Sequence, residues 1–260
     1  MIVTTAGRTN DILREHAVKT AEKYGLTYVE RDKQSISSLF KKYDSDVYCV
    51  GAFKNMLNII GTGRVLQFHP NIAQIRAKRI LSGKTDRLIE LTEIAEGTTI
   101  LDCTMGLASD SIIMSLMSGI KGNVTAIESD FSVYMMVSEG LNYYDTGVST
   151  VNAAMRRIQT VHGNYKKVLQ NLPDNSYDVV YFDPMFSETV KSSDGMMYMT
   201  GLVNNEELSE ENVREAVRVA KRKVVIKDHF RSPKFDELGF KKDIRPSSSF
   251  HFGVINVHEC

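Results

Sequence analysis

From Thr99 to Lys227 short apolar runs alternate with stretches whose apolar residues recur at helical spacing, and this alternation narrows the possible folds more than any other feature of the chain. The runs are Thr99 to Asp102, Asn123 to Glu128, Ile158 to His162, Tyr177 to Phe182 and Lys223 to Lys227. Helices fit between them at Asp110 to Ser118, Phe131 to Leu141, Tyr165 to Leu172 and Ser209 to Ala220. Strands that alternate with helices imply a mostly parallel sheet covered on both faces. A last pair, Lys241 to Ile244 and Phe250 to Val257, is joined by Pro246 and a serine run and reads as a closing antiparallel hairpin. The expectation is an α/β fold, doubly wound, with a mostly parallel seven-stranded sheet and a terminal antiparallel hairpin.

Before Thr99 the pattern differs. Strand candidates at Ile2 to Thr5, Leu26 to Glu30, Val47 to Val50, Met56 to Ile60 and Val65 to Phe68 frame helices near Asn10 to Tyr24 and Ser35 to Tyr43, with Asn10 as an N-cap. A helix over Asn71 to Leu81 carries Arg76, Lys78 and Arg79, and another over Asp86 to Ile94 leads onward. The expected division is a small N-terminal α/β domain, residues 1–85, followed by a second domain, residues 86–260.

Composition excludes several classes. With 42% hydrophobic and 25% charged residues among 260, the chain can bury a core and does not match disordered sequences. Its longest apolar stretches fall far short of the roughly 20 residues that cross a bilayer, and no secretory signal is visible, so a cytoplasmic protein without membrane contact is expected. Cys49, Cys103 and Cys260 are scattered, which argues against a disulfide framework and a metal site. Net charge is zero, yet between Arg31 and Arg87 eleven Lys or Arg stand against four Asp or Glu. That surplus suits docking of a phosphate backbone, or is a solvated surface.

Four segments carry candidate chemistry. Ile100-Leu101-Asp102-Cys103-Thr104-Met105-Gly106-Leu107-Ala108-Ser109-Asp110-Ser111 runs from a strand through a glycine loop into a helix, where ligands bind in doubly wound sheets. The same pattern occurs in purely structural strand-to-helix loops. Ala108 stands where a dinucleotide fingerprint has its second glycine. Glu128, followed by Ser129, ends the next strand and could accept from ribose hydroxyls or be solvated. In His162-Gly163-Asn164-Tyr165, Asn164 could meet an adenine edge or belong to a turn, and His162 is better read as packed or exposed than as catalytic.

Asp178-Val179-Val180-Tyr181-Phe182-Asp183-Pro184-Met185-Phe186 is the sharpest of the four. Methylating an exocyclic base amine requires acceptors that hold the amine while its lone pair leaves conjugation. Asp183 offers a carboxylate, Pro184 a carbonyl at a rigid position, and Phe186 a ring on which an extruded base can stack. The alternative is a strand-end turn with Phe186 in the core. Lys227, at the end of the fifth run, could contact substrate or simply be solvated.

The order of Asp102 to Gly106, Glu128, Asn164 and Asp183-Pro184-Met185-Phe186 resembles class I S-adenosylmethionine-dependent methyltransferases, which are Rossmann-like. More narrowly, DCTMGLASDS and DVVYFDPMF resemble the bacterial small-subunit ribosomal RNA guanine-N2 methyltransferase J family. The resemblance implies S-adenosyl-L-methionine as cofactor and ribosomal RNA as partner. It places Asp102, Gly106 and Asp110 around the methionine moiety, Glu128 at the ribose and Asn164 near the adenine, with Cys103, Thr104, Met105, Ser111, Ser129, Gly163 and Tyr165 as further cofactor-binding candidates. Asp183, Pro184, Met185 and Phe186 become the catalytic segment. Met185 replaces the second proline of the pattern common in amino-methyltransferases, and the N-terminal region matches weakly.

Three other readings compete. An NAD-dependent oxidoreductase would share the nucleotide fold, but the GxGxxG pattern is missing. A small-molecule amine methyltransferase fits less well with the basic surplus. A noncatalytic nucleic-acid-binding module would not need both Asp183 and Glu128.

Overall fold

The computed structural model describes residues 1–52, 54–184, 207–246 and 248–257. Contacts divide the chain into two units, Met1–His69 with Met135–Tyr144, and Pro70–Tyr134 with Asp145–Cys260.

In the first unit the chain runs β1 (Ile2–Thr5), α1 (Asp11–Lys23), β2 (Thr27–Tyr28), α2 (Ile36–Tyr43), β3 (Val47–Val50), β4 (Met56–Asn58) and β5 (Val65–Leu66). They form one sheet in the order β2-β1-β3-β4-β5, with β1 parallel to β2 and β3, and β4 antiparallel to both its neighbours. All of β1 and β3 is buried, Thr4 and Thr5 included. Asn10 caps α1 by accepting from the Leu13 N–H, and Ser35 caps α2 by accepting from the Ser38 N–H. Glu139 is buried within this unit and accepts from the Lys23 ammonium at 2.8 Å and the Tyr24 hydroxyl at 3.0 Å. Burial opposes its charge, but the bonds from His16, Lys23 and Tyr24 outweigh it and hold the carboxyl below its ordinary pKa.

The second unit continues with α3 (Asn71–Leu81), α4 (Arg87–Thr92), β6 (Thr99–Asp102), α5 (Ser109–Ser118), β7 (Asn123–Glu128) and α6 (Phe131–Tyr143), whose residues from Met135 onward group with the first unit. There follow α7 (Ser149–Arg157), β8 (Gln159–His162), α8 (Tyr165–Asn171), β9 (Tyr177–Phe182), α9 (Glu210–Val219), β10 (Ala220–His229), α10 (Lys234–Glu237), β11 (Lys241–Asp243) and β12 (Phe250–Asn256). The sheet order is β11-β12-β10-β9-β6-β7-β8. Strands β6 to β10 are parallel, and β12 is antiparallel to both β10 and β11. This is the seven-stranded sheet with a terminal hairpin that the sequence implies. Its core joins Leu101, Val180, Phe182 and Ile226 of the strands to Val213, Ala216 and Phe235 of the helices.

Chain order reverses between β6 and β9. Strands β7 and β8 lie on one side of β6, whereas β9 and β10 lie on the other. In doubly wound sheets ligands bind beyond the carboxyl ends of strands at such a switch point. Asp102 ends β6 and Asp183 directly follows β9, so the switch point places two of the expected site residues side by side.

Three features depart from the sequence expectations. Helix α7 is additional; Val151, Ala154 and Met155 sit at helical spacing, but the preceding Asp145-Thr146-Gly147 looks like loop. Strand β10 begins at Ala220 rather than Lys223, with a register shift between those residues, and its basic start Lys221-Arg222-Lys223 conceals a strand. Helix α3, expected on the N-terminal side of a boundary at residue 85, packs against α5 in the second unit.

Candidate active site

Asp102 is nearly inaccessible, accepting from the Thr104 N–H at 3.0 Å and from the Ser111 hydroxyl. Burial pushes its pKa up to about 7, against the lowering effect of those bonds. Cys103 is buried, its N–H donates to the Tyr181 carbonyl at 2.9 Å, and burial raises its thiol pKa. It supports the strand rather than presenting a nucleophile. Met105 is also buried and donates its N–H to the Ile127 carbonyl at 2.8 Å.

The loop then turns through two left-handed residues, Gly106 (φ 49) and Ala108 (φ 59). Left-handed backbone costs a non-glycine residue about 1–2 kcal/mol. Ala108 thus holds a left-handed conformation that glycine would adopt without that cost. Strain of this kind concentrates at ligand-binding turns.

Glu128 lies across the loop. Its Oε2 accepts from the Gly106 N–H at 3.1 Å and its Oε1 from the Asp130 N–H at 2.9 Å. Burial raises its pKa in spite of these bonds. A carboxylate offers about four lone-pair positions, so two remain for a vicinal diol. The Glu128 carbonyl accepts from the Gly163 N–H at 2.9 Å, and the Ser129 carbonyl lies 3.2 Å from Nε2 of His162. His162 is exposed and packs on the rings of Phe131 and Tyr134. Asn164 caps α8, its side-chain oxygen accepting from the Lys166 N–H at 2.9 Å. That oxygen serves the turn that sequence reasoning weighed against adenine contact. Tyr165 packs edge-on against Phe182 at 5.5 Å.

Asp183 is held from two sides. Its backbone N–H donates to the Thr104 hydroxyl at 2.6 Å, and its Oδ2 accepts from the Lys227 ammonium at 2.6 Å. Ile226 pairs in register with Phe182, so each strand's next residue meets its counterpart just beyond the pairing. Lys227 also donates to Asp110 at 3.1 Å. Asp110 further accepts from the Tyr181 hydroxyl at 2.9 Å and from the Arg76 guanidinium, whose other nitrogens bind Asp86 at 2.8 Å. Burial opposes the charge of Asp110, but Lys227 and Arg76 overcome it and keep the carboxyl well below its usual pKa. Asp183 moves the other way. Burial and the neighbouring Asp110 raise it while Lys227 restrains the rise. Lys227 stays firmly protonated because the two carboxylates outweigh its own burial.

The structure therefore brings together Asp102, Thr104, Gly106, Asp110, Ser111, Glu128, Gly163 and Asp183 around the switch point. Pro184 follows Asp183, while Met185 and Phe186 lie outside the described residues. Asp110 faces an ion network rather than an open loop. Sequence reasoning missed Tyr181, left Lys227 open, and read Arg76 as part of a basic docking surface. Arg76 instead pairs inside the unit, as does Arg87 with Asp243 and Glu90. One available signal was a lysine closing the apolar run Val224-Val225-Ile226, since lysine is rarely buried unless paired. Among the described residues no group of His, Cys, Asp and Glu could hold a metal ion, and no helix is long and apolar enough to cross a membrane.

The family described as "Putative SAM-dependent methyltransferase" matches residues 60–246. The protein YpiP of Bacillus subtilis, itself uncharacterized, is 42% identical over 98% of this chain and 99% of its own. A ribosomal RNA small subunit methyltransferase J from Buchnera aphidicola is 28% identical over 59% of this chain and 60% of its own. The crystal structure of a SAM-dependent methyltransferase from Neisseria gonorrhoeae superposes with a TM-score of 0.63 at 17% identity, covering 100% of this chain and 97% of that one, and so shares the fold.

The residues present suit S-adenosylmethionine. Beside Gly106 a Cβ would meet nothing closer than the Thr104 carbonyl at 3.9 Å, which leaves room for a ligand against the backbone. Glu128 retains acceptor capacity of the kind a vicinal diol would use.

Proposed function

The chain belongs to the SAM-dependent methyltransferase family, and from that premise we propose that it methylates an exocyclic amino group of a base in ribosomal RNA, guanine N2 foremost. The observation that carries this reading is the placement of Asp183. A carboxylate followed by proline stands at the switch point, fixed by Thr104 and Lys227, within one loop of the ribose-binding geometry of Glu128.

We assign Asp102, Gly106 and Ser111 with the loop Cys103 to Met105 to the methionine end of the cofactor, Glu128 and Ser129 to its ribose, and Gly163 to Tyr165 to the adenine side. When bound, S-adenosylmethionine supplies an electrophilic sulfonium methyl. The protein's contribution is alignment, since bringing a nitrogen lone pair into line with that carbon removes much of the entropic barrier. Asp183 accepts a hydrogen bond from the amine and the Pro184 carbonyl accepts a second, which pulls the nitrogen lone pair out of conjugation. Lys227 fixes the Asp183 carboxylate and favours its ionised form. As the amine nitrogen bonds the methyl, the methyl–sulfur bond would break with its electron pair left on sulfur as a neutral thioether, and the nitrogen would give up one proton to Asp183 or water.

The RNA acceptor is supported by the relatives named for ribosomal RNA methylation and by the part of the basic surplus before residue 88 that lies outside the Arg76 and Arg87 ion pairs. The test is transfer from radiolabelled S-adenosylmethionine to small-subunit RNA from cells lacking the gene, followed by digestion to nucleosides. Label in N2-methylguanosine is expected. Label confined to a small-molecule amine, with RNA unmodified, would overturn the RNA assignment.

A further inference from the structure

We propose that Phe230, Arg231, Arg245 and Phe250 form a surface that holds single-stranded RNA flanking the target base, an inference that rests on the RNA methyltransferase reading above. The topology brings these residues together. The turn after β10 and the start of β12 are adjacent, because His229 pairs with Phe250 and the Phe230 N–H donates to the Ser249 carbonyl at 3.1 Å. They lie at the carboxyl end of β10, the end at which Asp183 follows the parallel neighbour β9.

Cations and rings alternate there. The Arg231 guanidinium lies 5.0 Å from the Phe230 ring, and the Arg245 guanidinium lies 4.5 Å from Phe250 and 5.8 Å from Phe252. The Lys227 ammonium, already bonded to Asp183, is 5.1 Å from the Phe250 ring. Phe250 thus borders the candidate active site on one side and Arg245 on the other. Phe230 is 40% exposed and Arg231 is exposed.

The ion pairing of these arginines sets them apart. Arg76, Arg87 and Arg218 each bind two carboxylates. Among the described residues neither Arg231 nor Arg245 forms an ion pair, and Asp243, the acid two positions before Arg245, is taken by Arg87. A guanidinium lying over a ring and outside any ion pair presents a cationic face, and at Arg245 that face also sits in the field of Asp243, whose carboxyl pKa is lowered chiefly by Arg87 and further by Arg245. Such faces suit polymers whose bases stack and whose backbone is anionic, which is how single-stranded RNA is held. A phosphopeptide would use the cations but leave the rings without a role. A shallow, open depression lined by Arg87, Asp243, Ile244, Arg245, Pro246 and Ser248 adjoins this surface.

The test measures fluorescence anisotropy of a short, fluorescein-labelled single-stranded RNA of mixed sequence across a salt series. It compares the full chain with the Arg231→Gln/Arg245→Gln double variant, with Phe230→Ala, and with Lys121→Gln at an exposed site as control. Titration with S-adenosylhomocysteine verifies that each variant retains its cofactor site. The double variant is expected to bind RNA at least about tenfold more weakly, with its salt slope reduced by about 1.4. Phe230→Ala should weaken binding without changing the slope, and Lys121→Gln should match wild type. Equal RNA affinity in wild type and double variant would overturn the surface while leaving the methyltransferase reading intact. Wild-type protein that binds S-adenosylhomocysteine but neither binds nor methylates RNA would overturn both.

Discussion

The ammonium of Lys227 lies 2.6 Å from Oδ2 of Asp183, on parallel strands whose preceding residues, Ile226 and Phe182, are paired in register. Strand pairing itself therefore sets the distance between the acceptor carboxylate and its counter-ion. Because Lys227 also binds Asp110, which Arg76 anchors to Asp86, the orientation of Asp183 depends on residues spread from α3 to β10.

This relationship predicts the behaviour of Lys227→Met. Removing the cation takes away the charge that restrains Asp183 and leaves Asp110, held now by Arg76 alone, as a negative neighbour, so Asp183, already raised by burial, rises further. Methyl transfer needs the ionised carboxylate, so activity should increase with pH through the Asp183 pKa, and the variant's acid limb should lie at higher pH than that of wild type. Misplacement of the carboxylate should also lower transfer by on the order of 10²-fold. The check is a pH–rate profile at saturating cofactor. A rate loss with an unmoved acid limb would assign Lys227 a merely structural role.

Asp183→Ala separates chemistry from cofactor binding. The side-chain acceptor is lost, but the Thr104 bond is made by the Asp183 backbone N–H and persists. Methyl transfer should fall by at least about 10²-fold while affinity for S-adenosylhomocysteine changes little. Equal loss of both would contradict the assigned role.

For Glu128→Ala the order reverses. Each carboxylate oxygen accepts from a backbone N–H, one at Gly106 and one at Asp130, so the variant loses the proposed ribose acceptor and two ties between loops. Hydrogen bonds to a charged group contribute about 1.5–3 kcal/mol each, so calorimetric affinity for S-adenosylhomocysteine should drop by about 10–100-fold. Unchanged affinity would move the ribose elsewhere.

Asp102 gives stability a pH dependence of definite sign. Burial lifts its folded pKa to about 7, above the unfolded value of about 3.9. The folded state keeps this proton where the unfolded state has lost it. The contribution is full below the unfolded pKa and disappears as pH rises through about 7. Asn cannot ionise, so the stability of Asp102→Asn relative to wild type should improve between about pH 5 and about pH 8. Urea midpoints at the two pH values measure this, and a difference that does not vary with pH would show that Asp102 ionises alike in both states.

How much of this was legible depends on the range of the interaction. Strands β6, β7 and β9 match the sequence expectation residue for residue, because apolar runs closed by a carboxylate or a turn are local signals. Asp102, Glu128 and Asp183 were legible for the same reason, each lying where such a run ends. The Arg76–Asp110–Lys227 network was not, since its members belong to three elements far apart in sequence and no periodicity connects them. Nor was the allocation of Met135–Tyr144 to the first unit, for α6 runs on without a break in its helical pattern.

Gly140 tests that allocation. In an exposed helix interior, replacing glycine with alanine gains about 1 kcal/mol from propensity. At Gly140 an added Cβ would lie 2.1 Å from Cγ of Phe68, 2.3 Å from its Cδ1 and 2.5 Å from its Cβ. Phe68 is buried and packs edge-on against Tyr144, so the ring has little freedom to withdraw. Overpacking of this kind costs about 1–3 kcal/mol, enough to reverse the sign expected from propensity. Gly140→Ala should therefore lower the denaturation midpoint, and Gly140→Ala/Phe68→Leu should regain part of the loss. If Gly140→Ala alone raised the midpoint, helix propensity would dominate and the close packing of Phe68 on α6 would be refuted.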